Sequence, residues 1–579
     1  MTTETLAKPA VAPEIPRQTA IRRRPVPRRF LPAFAVLAGM VAIGWQASRY
    51  GNWIVDDAAI TFAYARSFAE GLGPVVAAGE PPVEGFSNPT WTALLAAGRL
   101  LGLFDRGALF GIPDYVLFPK ALALLCCGGL LTACHLAAAR VTRRPWLVTL
   151  VTGLVLASIP SFVIWCFSGL ENALFALAVV TLAVLLFRAA LDNRLLTGRV
   201  ALLAGALAAF AALTRPDGAI YAAAYPVVLL IHLRRATLPP SVRHALLSGI
   251  AFAVPFGGYL AWRYLEFGRL LSNPSVAKAQ AMPKVEDLAR TGQLVQYAGA
   301  LAVLVLVVIV GMALSRSSWW RGLVALLVPL GLGLVAYSVM MPDWMAQFRF
   351  ATPVWALATL IGTLATAEVL RHTRLRARIL VPAALIAAVV PSGVVFDAAA
   401  DGFRREPTLP MCWVADRYGS VFNTYADLLG AGRVSLLTPD LGGTALTSRL
   451  DIVDMAGLAE PKIADFIKHD DLAGLRDYVF DDVKPVFINS RGPWGPGNRI
   501  SSDPRIDRDY YPVHGYSEQG FPAGDWVRKD AVATPEQLRA LRDYANIAVP
   551  EIDRKLAEFP LRSCGATLRP GQTAISRVS

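Results

Sequence analysis

Asp56 and Asp57 are the side chains of this sequence that most plainly offer chemistry. They stand in Trp53-Ile54-Val55-Asp56-Asp57-Ala58-Ala59-Ile60, just past the first long apolar segment, Phe30 to Trp45. Adjacent carboxylates at the exit of a membrane span are costly near lipid and point to function. A solvated loop that stops the helix is the competing reading. Other charged groups recur in the same relation to apolar segments: Glu171 in Ser168-Gly169-Leu170-Glu171-Asn172, and Arg215 with Asp217 in Thr214-Arg215-Pro216-Asp217-Gly218. Lys278 closes Asn273-Pro274-Ser275-Val276-Ala277-Lys278, and Asp343, Trp344 and Arg349 share Pro342-Asp343-Trp344-Met345-Ala346-Gln347-Phe348-Arg349. Taken singly, Glu171 and Asp217 read as first-turn acids that favour a helix dipole. Arg215 and Arg349 read as interfacial anchors that snorkel, and Lys278 alone says little.

Together these groups supply what transfer of a sugar from a lipid phosphate requires. A carboxylate, Asp56 or Asp57, takes the proton of an acceptor hydroxyl. Cations, for which Arg215, Lys278 and Arg349 are candidates, hold the departing phosphate as its charge grows. Phosphate leaves well without protonation, which separates this chemistry from a hydrolase with its carboxyl pair. Trp344 and Trp91 can stack on sugar faces, although interfacial aromatic belts use the same residues. Glu84, Glu171, Asp217, Asp440 and Asp454 are candidates for the acceptor side or the cleft. Asp440 and Asp454 read equally as strand-end acids capping turns.

The elements that must position these residues are mostly membrane helices. The chain has 579 residues, 55% of them hydrophobic and 17% charged; soluble domains carry about 25% charged residues. The formal charge of +13 comes in short clusters between apolar stretches, and no basic face with interleaved aromatics speaks for nucleic acid. Apolar segments of bilayer length are expected at 30–45, 115–139, 146–167, 172–188, 199–213, 218–233, 244–265, 294–314, 322–341, 350–370 and 379–397. These eleven spans put the N-terminus inside and the C-terminus outside. The loop charges agree. The inner loops hold Arg140, Arg143 and Arg144; Arg188, Arg194 and Arg199; Arg234, Arg235 and Arg243; Arg316 and Arg321; and Arg371, Arg374, Arg376 and Arg378. The outer loops hold Asp56, Asp57, Glu84, Glu171, Asp217, Glu266 and Asp343, as the positive-inside rule requires.

Residues 1–29 form a basic tail expected to be disordered at the cytoplasmic face. Residues 30–399 form the membrane domain, with a first outer loop at 51–114 that holds a helix from Thr61 to Ala69 and an interfacial helix from Trp91 to Leu103. Residues 400–579 have soluble composition, with strands expected at Val434–Leu437, Leu450–Val453 and Val486–Ile488 and helices at Pro535–Ala548 and Glu551–Glu558. That pattern predicts an α/β domain on the outer face. Of six cysteines, Cys126, Cys127, Cys134 and Cys166 lie in apolar runs, while Cys412 and Cys564 lie in the outer region, where a disulfide between them is expected.

These motifs carry a resemblance. Trp53 to Thr61, Gly79-Glu80 and Val83-Glu84-Gly85-Phe86-Ser87-Asn88-Pro89 resemble the first outer loop of polytopic GT-C glycosyltransferases, which use polyprenyl-phosphate sugars. Within that superfamily the chain looks most like the actinobacterial terminal beta-arabinofuranosyltransferases of arabinan synthesis. The likeness continues through Ser168-Gly169-Leu170-Glu171, Arg215-Pro216-Asp217, Ser272 to Lys278, Asp343-Trp344-Met345 and Arg349-Phe350. It reaches Asp440-Leu441-Gly442 and Val453-Asp454-Met455-Ala456-Gly457-Leu458 in the outer domain. Met341-Pro342-Asp343 stands where that family pattern has two glycines before the aspartate, and Phe348 where it has a small residue before the arginine. The resemblance implies a GT-C fold, a first-loop acid as base, a polyprenyl-phospho-sugar donor such as decaprenyl-phospho-arabinofuranose, and a cell-envelope glycan acceptor. Some members bind a divalent cation, Mg or Mn, at that loop, and two carboxylates would suit one. A GT-C enzyme moving another sugar such as mannose, or a lipid-linked glycan transporter, are the other readings. A transporter should show internal repeats and charges near mid-span, which this chain lacks.

Overall fold

A computed structural model of the chain describes residues 30–278, 282–373, 375–556 and 563–573. The predicted N-terminal tail and Arg374 lie outside the described residues, as does the end of the last predicted helix.

Every apolar segment expected to span is helical. Among the described residues, seven helices are long and apolar enough to cross a membrane: Leu31–Ser48 (α1), Asp114–Val141, Asn172–Leu191, Arg235–Phe267, Trp320–Val339, Arg349–His372 and Ile379–Arg405. Two more candidates are bent pairs, Pro145–Ser158 with Pro160–Cys166 at 85° and Val285–Ala298 with Ala300–Arg316 at 103°. The remaining two, Gly198–Thr214 and Pro216–Ile231, are short. Pro160 and Pro216 each stand at the first position of a helix, where a missing N–H costs nothing. Packing follows small residues: α1 meets Pro145–Ser158 where Gly39 and Gly153 face each other, so that a Cβ on either would crowd the other's Cα. By contrast, the 238–267 helix buries only Ser241 and Ser248, leaving an apolar surface suited to acyl chains.

The segment after α1 turns back over one end of the bundle. Helix α2, Asp56–Ala69, begins five residues before the expected Thr61 start and carries both aspartates in its first turn, where acids favour the helix dipole. It stops at the left-handed Gly71. Helix α3, Pro89–Leu100, is tied to α2: Arg99 is buried and its Nη1 donates to Asp105 Oδ2 at 2.7 Å, with Arg66 Nε on the same carboxylate oxygen at 2.7 Å. A two-residue ladder, β1 (Ala108–Leu109) with β2 (Ile112–Pro113), leads into the next span.

Over this end sits the C-terminal domain. Its five-stranded sheet runs β4-β3-β5-β7-β6, with β3 Ser435–Thr438, β4 Asp451–Asp454, β5 Phe487–Ser490, β6 Tyr510–Glu518 and β7 Phe521–Arg528. Strands β3, β4 and β5 are parallel, and each lies one residue from where its apolar run begins in the sequence. The β6–β7 hairpin was not anticipated, because Pro512, Gly515, Pro522 and Gly524 interrupt any alternating pattern. Pro512 is tolerated because β6 is an edge strand. One helix, Pro535–Leu556, replaces the two expected, with Pro550 inside it. Cys412 and Cys564 are joined in a disulfide, which ties the C-terminal segment to the start of the domain.

Candidate functional site

Five residues from separate predicted outer loops, Asp57, Glu171, Asp217, Lys278 and Asp343, line one cavity of about 750 Å³ between the helix bundle and the C-terminal domain. Arg215, Arg349 and Trp344 share it. The distances in sequence are large, and the bundle brings the loops together at one end.

The start of α2 is gripped on two sides. Val55 N donates to Ser168 O at 3.1 Å, Asp56 N to Leu409 O at 2.9 Å, and Met411 N to Ile54 O at 2.9 Å. Neighbouring residues on a helix project about 100° apart, and the two aspartates part accordingly. Asp57 faces the cavity, with 24% of its side chain open and Arg349 Nη1 at 4.0 Å. Asp56 is 3% exposed and faces the domain, where Gly443 N and Gly442 N donate to it at 2.7 and 3.2 Å. The two carboxylates thus face different surroundings, Asp56 the domain and Asp57 the cavity. Among the described residues no group of three or more His, Cys, Asp or Glu could hold a metal.

The cations differ in how they are held. Arg215 donates from Nε to Asp217 Oδ1 at 2.9 Å and from Nη1 to Glu171 Oε1 at 3.0 Å. Its guanidinium lies over Phe350 at 5.0 Å, and Asn88 Nδ2 occupies the other Glu171 oxygen at 2.6 Å. Arg349 donates to Asp343 Oδ1 at 3.2 Å and to Met345 Sδ at 3.1 Å. It follows three consecutive left-handed residues, Ala346, Gln347 and Phe348, at φ 59, 49 and 54°. Such a run costs about 1–2 kcal/mol per residue and persists only where the surrounding structure holds it. Ser161 Oγ and Trp165 Nε1 hold the turn by donating to Gln347 O at 2.7 and 3.0 Å. Lys278 makes no ion pair with a carboxylate among the described residues, and it faces the same space.

Burial tunes these groups. It raises the Asp57 pKa above the ordinary carboxylate value, opposed by Lys278 and Arg349 and reinforced by Asp343 and Asp440. Desolvation within the cavity lowers the Lys278 pKa, with Arg349 adding to the effect and Asp57 and Asp343 opposing it. Asp56 is raised well above the ordinary value by burial and by Asp440, against the two glycine N–H groups.

Besides Asp56, four candidates stand off the cavity. Glu84 is buried under Tyr259 and Arg263, with Arg263 Nη2 donating to Oε1 at 2.9 Å; it anchors the 238–267 helix to the first loop. Trp91 is buried and donates from Nε1 to Gly169 O at 2.9 Å, so it stacks on no sugar, whereas Trp344 is 61% exposed. Asp440 accepts from Arg491 Nε at 2.7 Å. Asp454 braces its own turn, accepting from Ala456 N at 2.9 Å and Ala459 N at 2.8 Å, and burial carries its pKa up to about 7. Sequence reasoning missed Asn88, Ser275 and, from the domain, Leu458 and Lys468, all of which line the cavity. Asn88 entered only as part of the motif from Val83 to Pro89, with no role of its own. Lys468 sits on a surface-patterned helix end that nothing in the sequence links to the membrane loops.

The sequence matches no protein-family model, and no curated protein matches it at a significant level. Solved structures do match. ArnT from Cupriavidus metallidurans, a structure bound to undecaprenyl phosphate, aligns at a TM-score of 0.53 and 11% identity over 87% of this chain and 99% of that one. The Archaeoglobus fulgidus oligosaccharyltransferase in its apo form aligns at 0.51 and 10% identity over 90% of this chain and 78% of that one. The arabinosyltransferase EmbB from Mycobacterium smegmatis aligns at 0.39 and 16% identity over 86% of this chain and 47% of that one, too partial an overlap to bear on a sugar. The chain has the fold of the GT-C membrane glycosyltransferases.

Proposed function

We propose that this protein is a membrane glycosyltransferase that moves a sugar from a polyprenyl-phosphate donor to an acceptor hydroxyl. One observation carries the reading: a cavity at the end of the bundle that joins one open carboxylate, Asp57, to Lys278, Arg349 and Arg215. The acceptor O–H gives its proton to Asp57 while its oxygen bonds to the anomeric carbon. The bond from that carbon to the phosphate oxygen breaks, and the electron pair leaves with the polyprenyl phosphate. Lys278 holds the growing negative charge, helped by the two arginines that carboxylates and aromatic rings keep in place. The undecaprenyl phosphate bound to ArnT supports a lipid phosphate as the donor's leaving group.

The sugar proposed is arabinofuranose, carried as decaprenyl-phospho-arabinofuranose, and the acceptor a cell-envelope glycan on the outer face of the plasma membrane. The motif resemblance and the loop charges support these finer assignments. Trp344, exposed beside Asp343, is the ring available to a sugar face. Transfer from radiolabelled decaprenyl-phospho-arabinose to a synthetic arabinan, by membranes containing the protein, tests this directly. Incorporation is expected with that donor and not with decaprenyl-phospho-mannose. The reverse pattern keeps the reaction class and replaces the sugar. Consumption of neither donor, with lipid-linked glycan accumulating on the inner leaflet of cells lacking the protein, would favour a transporter.

A further inference from the structure

Asp56 has no part in the reaction as written, yet it is the more tightly built of the two acids. Its carboxylate points at the C-terminal domain and takes the N–H groups of Gly443 and Gly442 at 2.7 and 3.2 Å. The glycines are required there. A Cβ on Gly442 would collide with the Asp56 backbone oxygen and carboxylate, and one on Gly443 with Met411 O. The pair follows Asp440 at the C-terminal end of β3, and Asp440 is itself held by Arg491, which follows β5. The contact therefore runs from the parallel strands of the domain to the first turn of α2.

Resting on the transferase reading above, we infer that Asp56 is a positioning residue: it latches Gly442 and Gly443, the first residues of the short helix Gly442–Thr447, to α2 and so sets where Asp57 stands in the cavity. The backbone bonds to Leu409 and Ile54 grip the chain ahead of the helix. The Asp56 side chain acts off the helix axis, and so it governs rotation about that axis. Asp57 lies on the same turn and moves with it. A displacement of about 1 Å at a reacting group costs about 10²-fold in rate.

The test uses the full-length protein, labelled decaprenyl-phospho-arabinose and an arabinan acceptor. Asp56→Asn turns an amide N–H₂ toward a glycine N–H, and Gly442→Ala pushes the same contact apart without altering any acid. Each is expected to lower kcat about 10²-fold with little change in the KM for donor. Both should keep the acidic limb of the pH–rate profile, because Asp57 still serves as base. That limb is set by the groups facing Asp57, namely Lys278, Arg349, Asp343 and Asp440. Asp440 and Asp57 are the charges facing Asp56, so Asp56→Asn should move the limb slightly toward lower pH. Asp57→Asn should remove it. If Gly442→Ala does not fold, Asp56→Glu, which keeps the charge and overfills the latch, should show the same kcat loss with the limb retained. Loss of the limb in Asp56→Asn together with its retention in Asp57→Asn would exchange the two roles and end the latch. Wild-type kcat in both Gly442→Ala and Asp56→Glu would also end it. A wild-type protein that consumes no polyprenyl sugar would instead overturn the reaction itself.

Discussion

Two buried charge clusters in this molecule differ in a way that separates structure from function. In the C-terminal domain, Asp525 is fully buried and satisfied from three sides, by Arg417 Nη2 at 2.9 Å, Asn489 Nδ2 at 2.8 Å and Tyr425 OH at 3.0 Å. In the cavity, Asp57 keeps a quarter of its side chain open, and its one ion pair among the described residues is 4.0 Å long. A carboxylate closed off by donors has no capacity left for a substrate. One held deep but left open, beside a lysine that pairs with no carboxylate among the described residues, has both capacity and a perturbed pKa. The pattern of satisfaction, more than the count of charges, distinguishes the two.

Breaking each cluster should therefore have effects of different kind. The largest effect on turnover outside Asp57 is expected from Lys278→Ala, with transfer falling by about 10²–10³-fold at unchanged thermal stability. A comparable loss of stability would place Lys278 with the structural charges. Asp525→Ala should do the opposite. It leaves Arg417 buried and unpaired, costing about 3–5 kcal/mol, read as a lower unfolding midpoint of the domain with transfer retained per folded molecule. Trp344→Ala should cause the smallest change, about 1 kcal/mol at most in the KM for sugar donor, with kcat untouched. A large kcat effect there would move Trp344 from the rim to the reacting centre.

The contrast was partly legible in the sequence. Span length, loop charge and motif order placed Asp57, Arg215, Lys278 and Arg349 on one side of the membrane domain, because hydropathy and the positive-inside rule act locally along the chain. The sequence did not say which carboxylate would be closed off. Asp56 and Asp57 are chemically identical neighbours, and only the Gly442-Gly443 pair, nearly four hundred residues on, separates them. Glu84 looked like a site acid because it lies in a conspicuous turn-rich loop, and its neutralising partner, Arg263, sits on a distant helix. The left-handed run at Ala346–Phe348 was hidden for a related reason. No glycine marks it, so the strain is imposed by tertiary contacts that local residue preferences do not record. The β6–β7 hairpin escaped because its prolines and glycines are tolerated only in the context of the finished sheet.

The pH dependence of transfer bears on the account most directly. Asp57 must be ionised to accept a proton, and burial raises its pKa, so activity should fall as pH drops through a value above the ordinary carboxylate range. Lys278 must be charged to hold phosphate, and desolvation within the cavity lowers its pKa, so activity should fall again as pH rises through a value below that of an ordinary lysine. The decisive comparison is the pH profile of kcat/KM for wild type beside folded Asp57→Asn. We expect a bell for wild type, and for the variant a loss of about 10²–10⁴-fold with no acidic limb. A variant that retains both the rate and the limb would contradict the claim that Asp57 is the base.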